Sequence, residues 1–353
     1  MSVNAAVGDI IKPSKPREVW IDALRVLAFF LVIVNHTNSQ IFIAYPPSLT
    51  WLASLTYFFI SKPAVGIFIM ISGANLLGRG KTIRQSLTAA GKIAIVLLVF
   101  AFLYKFMFGL EEPATSASDY VKFFTLDVLA GNTYKHLWYL YSYIALLLLL
   151  PALDRLNDAR LLKYIVPITI IPSGIIPIIS HYVNGFGVSG NTTGTLLPIF
   201  VGLFLCGYLI KNMKKVRVWP YVITYVALLA FQVTATYFEY KAKNGTGYLY
   251  LDNNRLFTIT GGAVCIFGIV HYLHTKVTLP PKVGRVINQI GRYTFAAYLM
   301  HIFVIRKFDF ILQFLNGHMH VLFAMLLFEI FVFALSIVLG ALLKHIPFVK
   351  RFL

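Results

Sequence analysis

Four ionisable residues lie along the first long apolar run, EVWIDALRVLAFFLVIVNHTNSQIFI: Glu18, Asp22, Arg25 and His36. At about 100° per residue they share one face of a helix. An ionisable group facing lipid costs about 2.5–3.5 kcal/mol at mid-bilayer, so such a stripe must look inward, toward protein or a water-filled passage. With a rise of about 1.5 Å per residue, His36 lies about 16 Å beyond Arg25, while Asp22 and Arg25 stay near the helix entrance. Asp22 and Arg25 are also spaced as an ordinary ion pair one helical turn apart. A neutral imidazole, titrating near about 6.5, suits a general base that takes the proton of a hydroxyl. It can instead carry an acyl group transiently as an acyl-imidazole. Sequence leaves both roles open beside that of a structural histidine.

Further polar residues sit where apolar packing would not ask for them. Lys62 precedes Pro63 inside an apolar run and needs a partner or water. His136, Trp138 and Tyr139 begin another run, at a depth where aromatics commonly mark the membrane interface, and are candidates for an acceptor site. His301 and Glu329 lie deep in the last two apolar runs and could meet near the midplane as a polar pair, with His301 also a candidate for the acceptor site. Arg79, Lys81 and Arg84 follow the second run and could hold phosphates, although basic residues there are also what an inner loop requires. Ser72-Gly73 and Gly291 read as close helix contacts.

The elements that must position these groups are helices in a bilayer. Of 353 residues 58% are hydrophobic, above the roughly 45–50% of soluble domains, and mean hydropathy is +0.76. The formal charge of +18 is spread in short runs between apolar stretches, a pattern of inner loops rather than of nucleic-acid binding. A span needs about 20 mostly apolar residues. The expected spans are 19–43, 52–78, 88–110, 136–152, 162–180, 195–211, 218–238, 255–274, 292–312 and 320–343. The fold expected is therefore all-α, a polytopic bundle of about ten transmembrane helices. It forms one integral-membrane domain over 1–353, with a cytoplasmic segment 1–18, the bundle 19–343 and a cytoplasmic tail 344–353.

Alternate loops carry the cations, among them Arg155, Arg160, Lys214, Lys215, Lys282 and Arg285, which puts both termini inside. The opposite loops are poorer in Lys and Arg and hold Glu111, Glu112, Asp119, Asp127, Glu239 and Asp252. The stretch 181–194 on that side is Gly- and Asn-rich without a Lys, Arg, Asp or Glu. The first run is too long for a signal-peptide core and is expected to remain as an uncleaved span. Cys206 and Cys265 fall within apolar segments and read as buried free thiols. No metal-ligand spacing and no Gly-rich phosphate loop occurs, so neither a metal nor nucleotide chemistry beyond coenzyme A is expected.

The pattern Arg17-x4-Asp22-x2-Arg25-x10-His36 resembles the opening of acyltransferase family 3, integral-membrane O-acyltransferases of which many acetylate bacterial surface polysaccharides. Three further stretches fit in order: Lys62 to Ser72-Gly73, His136-Leu-Trp138-Tyr139-Leu, and Gly291-Arg-Tyr293 with Tyr298-Leu-x-His301. The basic motif often written Arg-x-x-Arg has only the approximate match Arg79-Gly-Lys81-x-x-Arg84. The resemblance implies His36 as the essential histidine, with Asp22 and Arg25 as its acidic–basic pair. It implies acetyl-CoA or another short acyl-CoA as donor, with Arg25, Arg79, Lys81, Arg84 and Lys62 as donor-site candidates. His136, Trp138, Tyr139 and His301 become candidates for holding a glycan or lipid-linked sugar acceptor. The expected location is a bacterial inner membrane, in contact with lipid and without nucleic acid, and the bundle leaves room for a homo-oligomer. A transporter or flippase of lipid-linked sugars would also use such spans, inward charges and proline-broken helices.

Overall fold

The computed structural model describes residues 17–108, 116–156, 158–183, 199–347 and 349–352. Lys12, Lys15, Glu111, Glu112 and most of the 181–194 stretch lie outside them. Among the described residues the chain is helical, without strands. The helices are α1 (Val19–Thr37), α2 (Ser39–Ala44), α3 (Leu49–Ser61), α4 (Ala64–Leu76), α5 (Ile83–Phe108), α6 (Ala117–Lys122) and α7 (Trp138–Leu153). They continue as α8 (Ala159–Tyr182), α9 (Ile199–Lys211), α10 (Val218–Ala242), α11 (Phe257–Lys276), α12 (Pro281–Lys307), α13 (Asp309–Asn316) and α14 (Val321–His345).

Each of the ten expected spans falls on helix, and eight are long and apolar enough to cross a bilayer. The other two differ for physical reasons. Helix α9 has 13 described residues, fewer than a bilayer needs, and is packed between α4 and α8. Helix α12 has 27 residues but is amphipathic; its apolar stripe packs on α1 and α14. A helix enclosed by its neighbours on one side need not be apolar all round.

The clearest sign of a lipid surround is α10. Its buried residues are Gln232, Thr236 and Glu239, while Trp219, Ile223, Val226, Phe231 and Phe238 are exposed. Polar groups inward and apolar groups outward is the reverse of a water-soluble helix. Glu239, expected in an outer loop, is instead in the last turn of this helix. It accepts from His181 at 2.8 Å, Tyr182 at 3.1 Å and Lys243 at 2.5 Å.

Helix α1 is the hub, touching α3, α4, α11, α12 and α14. Small residues let its neighbours close up. A Cβ on Gly291 would stand 2.8 Å from the Cβ of Asp22, so α12 reaches the start of α1 only through a glycine. Gly73 lies against the Phe204 backbone and Gly207 against that of Met70, locking α4 and α9 together. The described ends of the chain approach one another at one face of the bundle, where Arg25 and Phe352 line a common cavity. We call it the terminal face and the opposite one the far face.

Candidate functional site

At the terminal face the polar stripe of α1 begins. Asp22 is fully buried and accepts from Arg17 Nε at 2.7 Å and Arg17 Nη2 at 2.5 Å, and also from Arg25. A single carboxylate thus fixes two guanidinium groups, a geometry Arg supplies and Lys does not. One turn earlier, Glu18 accepts from Lys211 at 2.5 Å and from the Trp20 indole at 3.0 Å. Burial alone would raise the Glu18 carboxyl, but the Lys211 ammonium outweighs it and holds the group below its usual range.

These residues border a basic cavity of about 520 Å³ that includes Arg17, Arg25, Arg79 and Lys211. The loop carrying Arg79 is tied down: the N–H groups of Gly78 and Gly80, both at positive φ, donate to Asp154 at 2.5 and 2.6 Å. Arg25 and Asn75 also line a second cavity of about 350 Å³, which runs inward past Phe68 and Ser72 to Tyr139 and Tyr298.

Beyond Tyr298 lies a layer of aromatic rings holding three imidazoles. His301 has ring centroids 5.2 Å from His36, 5.3 Å from His136 and 5.5 Å from Tyr298. The Nδ1–H of His301 donates to the Tyr298 carbonyl at 2.5 Å, which leaves Nε2 as an acceptor without a partner among the described residues. Both ring nitrogens of His136 are likewise buried and unpaired there. The Tyr298 hydroxyl donates to the His136 carbonyl, tying α12 to the tight turn Lys135–Leu137 before α7. Tyr104 of α5 donates to the carbonyl of Leu299 at 2.8 Å and accepts from the N–H of Phe303 at 3.3 Å, the pair that closes the helical turn around His301. From the far face, a cavity of about 670 Å³ reaches His36 and His136.

Two cavities thus approach one layer from opposite faces, one ending at Tyr298 and the other at His36. A family profile described as an acyltransferase domain matches residues 18–345. The chain belongs to acyltransferase family 3. It is a multi-pass membrane acyltransferase, which favours the enzyme over the transporter. No curated protein and no solved structure matches it.

The residues singled out in this family member fall into three places. His36, His136, His301 and Tyr139 belong to the imidazole layer or the cavity below it. Asp22, Arg25 and Arg79 belong to the terminal-face cavity and its anchor; Lys81 and Arg84 are not part of its lining. Trp138 stands apart, whereas Lys62 lies close enough to His36 for its charge to act on that ring. Lys62 sits at the break between α3 and α4, bonded to Asp252 at 2.6 Å and 4.9 Å from the Phe58 ring. Trp138 stacks on Phe200 with centroids 5.8 Å apart. His301 and Glu329 do not pair. Glu329, on the first turns of α14, accepts instead from Thr37 at 2.7 Å and Tyr57 at 2.9 Å, because the end of α1 and α3 offer hydroxyls at its depth.

Sequence reasoning missed Tyr104, Tyr134, Arg306 and Lys307. For Tyr104 a lone tyrosine in an apolar run carries no signal. For Arg306 and Lys307 a signal existed: two adjacent cations end α12 on a face that should be poor in them.

Proposed function

We propose that this enzyme moves a short acyl group, acetyl first among them, from acyl-CoA to a hydroxyl of an envelope polysaccharide or lipid-linked glycan across a bacterial inner membrane. The terminal face is cytoplasmic in this reading. The observation that carries it is the access of His36 from the far face, one ring layer from a cavity that opens beside Arg25.

The terminal-face cavity fits the donor. Its cations suit phosphates, and Arg79 has no carboxylate partner among the described residues, whereas Arg17 and Arg25 share Asp22. A thin pantetheine arm would span the remaining about 15–20 Å, a reach scaled from helix rise. The thioester carbonyl then meets the acceptor at the imidazole layer. His36 takes the hydroxyl proton as the oxygen attacks the carbonyl carbon. The carbon–sulfur bond breaks, and the leaving thiolate recovers the proton from the imidazolium, giving ester and free coenzyme A. A ring N–H of His136, unpaired among the described residues, would donate to the developing oxyanion. His301, fixed by Tyr298, orients the His36 ring.

The test is release of free thiol from acetyl-CoA by purified protein supplied with envelope glycan. His36→Ala should slow release by about 10²–10⁴-fold while the fold, read by thermal unfolding, persists. Full activity in folded His36→Ala, or a folded wild type that neither binds nor consumes acyl-CoA, defeats the reading. Intact-protein mass spectrometry after rapid quench separates the base from the acyl carrier: a base leaves no acetyl on His36.

A further inference from the structure

The mouth of the far-face cavity is more basic than a far face should be. Lys135, Arg306 and Lys307 line it together with Asp309. Asp309, whose Oδ2 accepts from Gln313 at 2.7 Å, offsets only one of the three charges. None of the three cations has a carboxylate partner among the described residues. A helix C-terminus attracts cations, which alone would account for Arg306 and Lys307 at the end of α12. It does not account for Lys135, which lies in the turn before α7. Nor does it account for how Arg306 is held. Its guanidinium carbon stands 5.5 Å from the Phe108 ring centroid and 5.2 Å from that of Tyr134, so residues of two other segments fix it. Face contact with rings leaves the N–H edges of a guanidinium open for two parallel hydrogen bonds.

Resting on the acyl-transfer reading, we infer that the acceptor is anionic: a sugar chain bearing carboxylate or phosphate, gripped by Lys135, Arg306 and Lys307 while a neighbouring hydroxyl reaches His36. The vestibule then selects the acceptor by charge, and the imidazole layer below acts on it.

The experiment compares acceptors matched in sugar framework and differing in charge, with purified protein in nanodiscs and radiolabelled acetyl-CoA. Tetragalacturonate is set against neutral tetragalactose, and galactose 1-phosphate against galactose, so that carboxylate and phosphate are distinguished. The acidic member of at least one pair should have a KM lower by about tenfold, the size of one charge-assisted hydrogen bond. The gap should narrow at about 1 M salt, where exposed charges are screened beyond about 3 Å. Arg306→Gln should raise the acidic KM about tenfold and leave the neutral one in place; Lys307→Gln, at an exposed position, is the second variant should the first misfold. Equal KM values within both pairs, or a preference that survives both substitutions, overturn the inference while acyl transfer stands. Should no acceptor be acetylated, the acyl-transfer reading fails instead. Binding of fluorescent tetramers then decides: tighter acidic binding lost in Arg306→Gln sustains the charge grip, and equal binding ends it.

Discussion

His301 is held by its own helix and by a tyrosine from another. The Tyr104 hydroxyl bonds both Leu299 O and Phe303 N–H and so holds the turn of α12 that carries His301. Tyr104→Phe keeps the ring and removes both bonds. Steady-state kinetics should show kcat lower by about 10–10²-fold, the effect of a small misplacement, with KM for acyl-CoA unchanged. Asp22 anchors the other end of the stripe. Asp22→Asn leaves two guanidiniums sharing a neutral amide, and because both are partly exposed the loss should be about 2 kcal/mol of stability, below that of a dry pair. Thermal unfolding in detergent measures it. Glu18 gives a pH dependence. Its carboxyl is depressed by Lys211, so its contribution is present above the unfolded carboxylate range and disappears as pH falls through the folded value. Wild type should therefore unfold at a higher temperature than Glu18→Gln at pH 7, and the two should converge as the pH drops below about 4. His36 was legible in the sequence because its spacing from Arg25 obeys the helix period. That His301 gathers beside His36, and His136 beside His301, was not: they lie on separate segments, and a period says nothing about which segments meet.

At the scale of elements, α12 can approach the start of α1 closely because Gly291 faces Asp22. Gly291→Val would drive α12 against Asp22, at an overpacking cost of about 1–3 kcal/mol, and would shift the helix that carries Tyr298 and His301. Activity should fall further than stability, as read by comparing turnover with the unfolding midpoint. The Gly73 and Gly291 contacts were readable, since small residues in apolar runs often serve close packing; Ser72, expected beside Gly73 in such a contact, instead lines the inward cavity. The Lys62–Asp252 bond was half readable. A buried lysine announces that it needs a partner, but the partner arrives on a short turn, Tyr250–Asp252, more than half the chain away. Helix α12 is less apolar than the other expected spans because one side of it packs on α1 and α14.

The molecule as a whole is arranged around a divide. Apolar side chains of α5, α10 and α14 face outward, among them Leu98, Phe102, Phe231, Phe323 and Leu327, forming a lipid-facing surface. Within it, a basic cavity opens on the terminal face and a second basic mouth on the far face, and the imidazole layer stands between them. The class of fold was plain from hydropathy. That two separate cavities end on one ring layer was not readable, because it depends on how helices close around α1. In the proposed reaction, donor and acceptor reach His36 from opposite sides. Proteoliposomes of uniform orientation, with radiolabelled acetyl-CoA only at the terminal face and glycan only at the far face, test it directly. Labelled glycan should appear, coenzyme A should remain in the donor compartment, and His36→Ala vesicles should yield none. Label that appears only when donor and acceptor share one compartment would contradict the account.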